Sequence, residues 1–468
     1  MPLVVELRCT STYRPRRPEQ QSLYKLVAQN ADTFYEAYDH TFLANHGPLT
    51  KAAIKALEGF LRCGRLAFGF GRARCSDCGH ESLVPFSCQL RGVCPSCQQK
   101  RAEILCRVVR EEVIEPVEHR QLVFVLPRNL RSYFCDREML SVLCRITADA
   151  TKEFYRAGLG SLSVDPGMML IPQFFGDRLN HHLHLHALIT DGAFHKDGSF
   201  YRLALGMEHD IEYLNKLWAR RVLDALVERN LMSPSHRDER LTWKNTGFSV
   251  DCSVKVATGD HGRLERLVRY MARPPISFER VSYDAHTGKV LVRSAKKKDG
   301  IRKVVAEYKA LDFLSLLALQ VPPPRAHMVR YYGYYSNAAR GKRRKREEAL
   351  CPTPPIKDSP PGSLRAMRWA ELIRRVFEVD PLACPECSGS MSLISFITES
   401  HGALIDKILT HLGEDTSPPK ATGPPLWVRR LRAAEHNATY AHVYDVEDGH
   451  QESQPDEVTI DYGVNWGA

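Results

Sequence analysis

Nowhere in its 468 residues does the chain carry an apolar run long enough to span a bilayer, which takes about 20 residues of helix. No membrane partner is expected. The opening stretch, MPLVVELRCTSTYRPRR, lacks the apolar core of a secretory signal, so the chain reads as cytoplasmic. That placement bears on the 14 cysteines. In a reducing compartment they do not build a disulfide framework, and their clustering points to metal instead. Internal repeats are missing, which excludes solenoids and propellers. An HExxH motif and an obvious acidic pair are missing too, which leaves a water-activating metal hydrolase without its usual base. Acidic residues are outnumbered, 55 against 65 basic ones, and the net charge of +10 suits a polyanionic partner, most often nucleic acid. What remains is a soluble globular composition, 43% hydrophobic and 26% charged, in a chain long enough for two to four domains.

Two CxxC knuckles stand close together, Cys75-Ser-Asp-Cys78-Gly79 and Cys94-Pro-Ser-Cys97. Cys75, Cys78, Cys94 and Cys97 offer four thiolates for one tetrahedral structural Zn²⁺, with Cys88 between the knuckles as a competing ligand. Arg62, Arg65, Arg72, Arg74, Arg91, Lys100 and Arg101 surround this module, as phosphate contacts or as a solvated basic face. A third knuckle, Cys384-Pro-Glu-Cys387, has no second CxxC nearby and is a candidate for a second zinc, with His401 and His411 as partners by proximity only.

The segment His181-His182-Leu183-His184-Leu185-His186-Ala187-Leu188-Ile189-Thr190 alternates polar and apolar residues. Period two is a strand signal and puts His182, His184 and His186 on one face. Successive inward imidazoles are expensive unless they share a task, and the usual task is metal binding. Met168 to Phe175 reads as the preceding strand, joined to this one by Gly176 to Asn180. It runs back beside the histidines and places Gln173 to offer its amide oxygen as a third ligand. Imidazole alone favours zinc, whereas phosphate chemistry uses Mg²⁺ or Mn²⁺. An open divalent site polarises a phosphoryl oxygen and calls for a nucleophile. A tyrosine phenol can serve, and Tyr270, Tyr331, Tyr332, Tyr334 and Tyr335 are the candidates. Tyr270 sits on an expected helix among Arg263, Arg266, Arg269 and Arg273.

Elsewhere, helices are expected over residues 20–62, 98–117, 137–155, 211–231 and 263–272, and a buried strand over Arg120 to Pro127. Val290–Val292 and Val304–Tyr308 read as strands around a Lys296–Lys298 turn. A proline-rich break runs from Cys351 to Gly362, an amphipathic helix from Leu364 to Val379, and an acidic, loosely ordered tail begins near Thr416. The basic run Lys342-Arg343-Arg344-Lys345-Arg346 is a phosphate-binding candidate.

Five blocks in this order resemble a known family: CSDCGHESLVPFSCQLRGVCPSCQQKRAE, QFFGDRLNHHLHLHALITDG, LVRYMARPPIS, VPPPRAHMVRYYGYYSNAARG and RWAELIRRVFEVDPLACPECSGSM. They are similar to the transposases of insertion-sequence-91-type elements and the related common-region elements, which are rolling-circle tyrosine transposases with a histidine–hydrophobe–histidine (HUH) metal motif. The similarity covers most of residues 12–395. It implies an α+β chain whose HUH endonuclease domain is an antiparallel sheet with flanking helices. The implied division is a helical region at 1–65, a zinc-binding domain at 66–106, the catalytic domain at 107–345, a linker at 346–363 and a C-terminal region at 364–468.

The resemblance also implies roles. His184 and His186 match the metal motif, Gln173 stands where a histidine is often found as third ligand, and His182 supports the pair. Tyr270 matches the nucleophile. Arg266 stands one turn earlier, where two-tyrosine members carry a second tyrosine, so the chain looks like the single-tyrosine branch. Implied cofactors are structural Zn²⁺ and catalytic Mg²⁺ or Mn²⁺. Implied partners are DNA, as single-stranded element ends and target, and the host replication machinery, in a nucleoid-associated bacterial setting; a homo-oligomer is left open. Arg266, Arg269, Arg273, Arg343, Arg344 and Lys345 are the DNA-binding candidates. The reaction expected is nicking and rejoining of single-stranded DNA through a 5′-phosphotyrosine. The competing reading is a zinc-dependent DNA-binding protein without chemistry, a regulator or a decayed transposase.

Overall fold

The structure, a computed structural model, describes residues 17–203, 208–295, 300–350 and 383–413. The Lys296–Lys298 turn, the break from Cys351 to Gly362, the expected helix Leu364 to Val379 and the acidic tail lie outside the described residues.

Helices α1 (Ser22–Thr41), α2 (Leu43–His46) and α3 (Lys51–Arg62) come first. Thr50 caps α3 by accepting from the Ala53 amide at 3.1 Å. The hairpin β1 (Gly69–Cys75) and β2 (Glu81–Pro85) follows, then α4 (Pro95–Val108), which Pro95 starts at its first turn. Next come β3 (His119–Val125), α5 (Arg137–Gly158), β4 (Val164–Asp165), β5 (Gly167–Phe175), β6 (His181–Thr190), β7 (Gly192–His195) and β8 (Phe200–Arg202). The chain continues through α6 (Glu208–Glu228), α7 (Pro234–Thr242), β9 (Ser249–Asp251), β10 (Lys255–Val256) and α8 (His261–Met271). It then forms β11 (Val281–Asp284), β12 (Lys289–Arg293), β13 (Val304–Lys309), α9 (Ala310–Leu319), β14 (Arg330–Gly333) and α10 (Asn337–Leu350). Helix α10 occupies the first residues expected of the linker. Strand β15 (Met391–Thr398) and α11 (Gly402–Leu412) close the described chain.

The central sheet is antiparallel, ordered β10-β3-β6-β5-β14, with β9 also pairing β3. Alternation divides β6 between two cores. Leu183, Leu185, Ala187 and Ile189 face α5 and α6, packing with Leu140, Leu143, Trp218 and Val222. Burying each such side chain contributes roughly 1.5–3 kcal/mol. Trp218 needs a partner for its one donor, and Nε1 donates to Thr147 Oγ1 at 2.9 Å. The opposite face carries Leu188, beside Met169 and Ile171 of β5, against Leu264, Leu267, Val268 and Met271 of α8 and Cys106 of α4. His184 and His186 lie on this second face, in step with Leu188. The mixed helix and antiparallel-strand architecture agrees with the expected α+β class.

Among the described residues, the helical region expected at 1–65 shares its core with later parts of the chain. Leu23, Phe34, Leu57 and Phe60 share one with Val290 and Val292 of β12 and with Phe313 and Leu317 of α9. The hairpin β1–β2 is likewise completed from afar, because β15 pairs along the whole of β1 from Gly69↔Thr398 to Cys75↔Met391. Helix α11 packs Ile405 and Leu409 against Phe70 of β1.

Candidate active site and thiolate clusters

Strand register brings the polar residues of the second face together. Gln173 of β5 is directly opposite His184 of β6. On the other side, Val123 of β3 is opposite His186 and Gln121 is opposite Leu188. All four of Gln121, Gln173, His184 and His186 are buried.

Their hydrogen bonds form a chain. The His182 carbonyl can only accept, so His184 Nδ1 at 2.8 Å carries the proton and Nε2 keeps its lone pair. His186 Nε2 lies 3.1 Å from that lone pair, and Gln121 Nε2 lies 2.8 Å from His186 Nδ1. Burial pushes the pKa of His184 down to about 4, with Arg273 adding to the effect. Burial, then His184 and Arg273, pushes His186 well below its ordinary value. Both rings are therefore neutral at physiological pH, the form that ligates a cation. His182 is also lowered, to about 3, chiefly by burial and then by His184. What it gives the pair is its backbone carbonyl, along with a T-shaped ring contact at 5.0 Å.

Gln173 is committed at one end only. Nε2 donates to the carbonyl of Met271 at 2.6 Å and lies 3.4 Å from that of Tyr270. These are last-turn carbonyls of α8; that of Tyr270 also accepts from the Ala272 and Arg273 amides just past the helix end. Gln173 Oε1 is buried and accepts no hydrogen bond from the described residues. An orphaned amide oxygen beside two neutral imidazoles suits a hard cation.

Helix α8 presents Tyr270 to this group. Asp260 caps the helix by accepting from the Arg263 amide at 2.9 Å, and its apolar stripe is buried against the sheet. The half-buried Tyr270 ring meets His186 edge-on at 5.6 Å. The Arg273 guanidinium sits 4.8 Å above the same ring and 5.4 Å from that of Phe175. The other candidate tyrosines are placed differently. Tyr335 is fully buried with its hydroxyl 2.8 Å from His119 Nε2. Tyr334 stacks on Phe194 at 3.8 Å under Arg343. Tyr331 lies beneath Arg340, and Tyr332 packs against the α5–α6 core.

The arginines separate too. Arg269 forms a two-toothed ion pair with buried Glu103 of α4, at 2.6 and 3.0 Å, and so fastens α8. Arg343 donates to the Tyr334 carbonyl at 2.8 Å and lies over that ring. Arg266, Arg344 and Lys345 are exposed. Gln121 and Glu103 carry no motif; the usable signal for Gln121 was a glutamine in a strand that reads as buried.

The cysteine assignment needs correction. Cys75, Cys78, Cys94 and Cys97 do not form one site. The thiols gather as Cys63, Cys88, Cys94 and Cys97, and as Cys75, Cys78, Cys384 and Cys387, each set lying within 4.8 Å. The cause is the β1–β2 hairpin. Cys75 and Cys78 sit at its turn, whereas Cys63 precedes it and Cys88 follows it at the other end. Seven strand residues at about 3.3 Å each hold the two ends roughly 20 Å apart. In the first set, sulfur separations are 3.6 Å for Cys63–Cys97 and Cys63–Cys94 and 3.5 Å for Cys88–Cys97. Four sulfurs about 2.3 Å from one tetrahedral zinc are about 3.8 Å apart, so the set fits with slight adjustment.

An antiparallel sheet whose buried imidazoles face a helix-borne tyrosine, together with two four-cysteine clusters, defines an α+β protein whose cysteines fit metal binding. Comparison with known proteins narrows this. Residues 32–126 match the family described as "Transposase zinc-binding domain", and residues 167–343 match that described as "Putative transposase". The chain is 26% identical over 335 residues to the "Putative transposase y4qJ" of Sinorhizobium fredii, covering 66% of this chain and 81% of that protein. It is 26% identical over 409 residues to the transposase for insertion sequence element IS801 of Pseudomonas savastanoi pv. phaseolicola, covering 83% and 92%. The chain belongs to the insertion-sequence-91-type transposases. No solved structure matches it. No helix among the described residues is long and apolar enough to cross a membrane.

Proposed function

We propose that this transposase nicks and rejoins single-stranded DNA at the ends of its element, with Tyr270 as nucleophile and His184, His186 and Gln173 as divalent-cation ligands. The carrying observation is the contact of Tyr270 with His186 in a buried polar group where Gln173 Oε1 has no partner among the described residues. Burying polar groups in an apolar core is costly without a use, which favours an active enzyme over a protein that only binds DNA.

The residues fit the cation with one rearrangement. For both Nε2 lone pairs to face it, the His186 proton moves to Nδ1 and the Gln121 amide turns its oxygen toward that proton. Bound there, Mg²⁺ or Mn²⁺ would supply Lewis-acid polarisation of the scissile phosphate. The chain's own residues do the rest. Arg273 offsets phosphate charge above the Tyr270 ring. A cleft of about 340 Å³ with Arg91, Arg101, Phe175 and Arg273 on its walls adjoins Gln173 and offers a strand cationic and stacking contacts. The Tyr270 oxygen attacks phosphorus, the bond to the 3′ oxygen breaks, and the phenolic proton ends on that oxygen. The products are a 5′-phosphotyrosine and a free 3′-hydroxyl. Because the phosphodiester is exchanged rather than hydrolysed, rejoining to a target needs no ATP, and the 3′ end can prime host replication in rolling-circle fashion. We assign this chemistry to residues 107–345, and grip on DNA to the zinc module and exposed basic residues, in the bacterial nucleoid.

The test is an adduct assay with single-stranded DNA from the element's end and Mg²⁺ or Mn²⁺. Wild-type protein becomes linked to a 5′ end, with the adduct mapped to Tyr270. Full cleavage by Tyr270→Phe overturns the assignment.

A further inference from the structure

Two knuckles separated by most of the chain meet at the tip of the β1–β2 hairpin. Cys75 Sγ lies 3.5 Å from Cys387 Sγ, 312 residues away, and Cys78 Sγ lies 3.5 Å from Cys384 Sγ. The two turns are built alike. In the first, the Cys75 amide donates to the His80 carbonyl at 2.8 Å and the Gly79 amide donates to Cys75 at 3.2 Å. In the second, the Cys384 amide donates to Gly389 at 2.8 Å and the Ser388 amide donates to Cys384 at 2.9 Å. The residue after each second cysteine is left-handed, with φ +76° at Gly79 and +59° at Ser388. Such a turn directs two thiolates to one point, and Ser388 accepts a left-handed conformation that favours glycine. The knuckles are closely joined as well. The Ser76 amide donates to the Ser390 carbonyl at 3.3 Å, and a Cβ on Gly389 would collide with Asp77 Oδ2.

We infer that Cys75, Cys78, Cys384 and Cys387 hold a second structural zinc, distinct from the Cys63–Cys88–Cys94–Cys97 site, which staples residues 384–412 onto the N-terminal module. The sulfur separations match a tetrahedral tetrathiolate as well as those of the first cluster do. At the knuckle end of this seam apolar burial is small, with Ala73, Cys75, Cys384 and Met391 as its buried members, while Phe70, Ile397, Ile405 and Leu409 pack at the far end. Metal coordination therefore provides what packing there does not. The module is in this sense discontinuous, half of its ligand set arriving after the catalytic domain.

Metal analysis of the full chain tests this. Wild-type protein is expected to carry two zinc ions. Cys384→Ser/Cys387→Ser is expected to carry one and to show new protease cleavage within residues 384–412. Cys88→Ser/Cys94→Ser is expected to lose the other ion. A single zinc in wild type, or two retained after Cys384→Ser/Cys387→Ser, overturns the inference. A second measurement needs no variant. Cys78 and Cys387 are exposed, yet alkylation of both in the zinc-loaded native protein should be slow and should accelerate on chelation. Equal rates with and without chelator overturn it too.

Discussion

The Gln173 amide nitrogen and the Met271 carbonyl oxygen are 2.6 Å apart, so one β5 side chain ties the helix of Tyr270 to the strand facing the histidines. Gln173→Leu should lose both this hydrogen bond and the amide ligand. A drop of about tenfold to a hundredfold in divalent-cation affinity is expected, with about 1–3 kcal/mol lost from stability. Gln173→Glu keeps an oxygen toward the cation but sets a carboxylate against the Tyr270 and Met271 carbonyls. It should recover cation affinity relative to Gln173→Leu while remaining less stable than wild type. Isothermal titration with Mn²⁺ and thermal melts check the pair.

Gln121 and His182 should separate in the opposite sense from their visibility in the sequence. Gln121→Leu removes the only group hydrogen-bonded to His186 Nδ1 among the described residues. It should weaken Mn²⁺ binding by about tenfold to a hundredfold, whereas Gln121→Glu should hold it near wild type. His182→Ala leaves the carbonyl that orients His184, and should keep most cleavage activity. His184→Ala should abolish it.

Much of this centre was legible beforehand. Period-two alternation put His184 and His186 on one face, and the predicted β5–β6 pairing put Gln173 opposite them. The thiolate pairing was not legible. Spacing along the chain joined Cys75 and Cys78 to Cys94 and Cys97, but a rigid hairpin lies between the pairs. The neighbours of Cys75 and Cys78 come from the turn before β15, which only tertiary structure brings near. Arg269 illustrates the same limit. Its sequence context suggested DNA, while buried Glu103 had already taken its guanidinium.

The arginines should therefore give two kinds of variant. Arg344→Ala/Lys345→Ala should leave melting unchanged and lower the salt slope of single-strand binding by up to about 0.7 for each phosphate these side chains neutralise. Arg269→Ala strands buried Glu103 and should cost stability, on the order of 3 kcal/mol, before it affects the slope. Binding titrations across a salt series, with melts in parallel, distinguish them.

Acid should loosen the fold through its buried histidines. Burial lowers His119 from 6.5 to about 4, so the unfolded chain binds this proton more tightly than the folded one. The resulting stability is fully present above about pH 6.5 and falls as pH drops toward 4. Melts at pH 7.5 and 5 should show a decline that shrinks in His119→Gln, which keeps a partner for the Tyr335 hydroxyl. An unchanged decline would exclude His119 as a contributor.

Strand β1 is the middle strand of its sheet, and its partner β15 begins roughly 300 residues after β1 ends. On a ribosome adding about 5–20 residues per second, that partner emerges on the order of half a minute later. Until then β1 offers an unpaired edge to any neighbouring chain. A chain that ends anywhere between β1 and β15 thus keeps that edge open for good, and is expected to aggregate where the full-length chain does not.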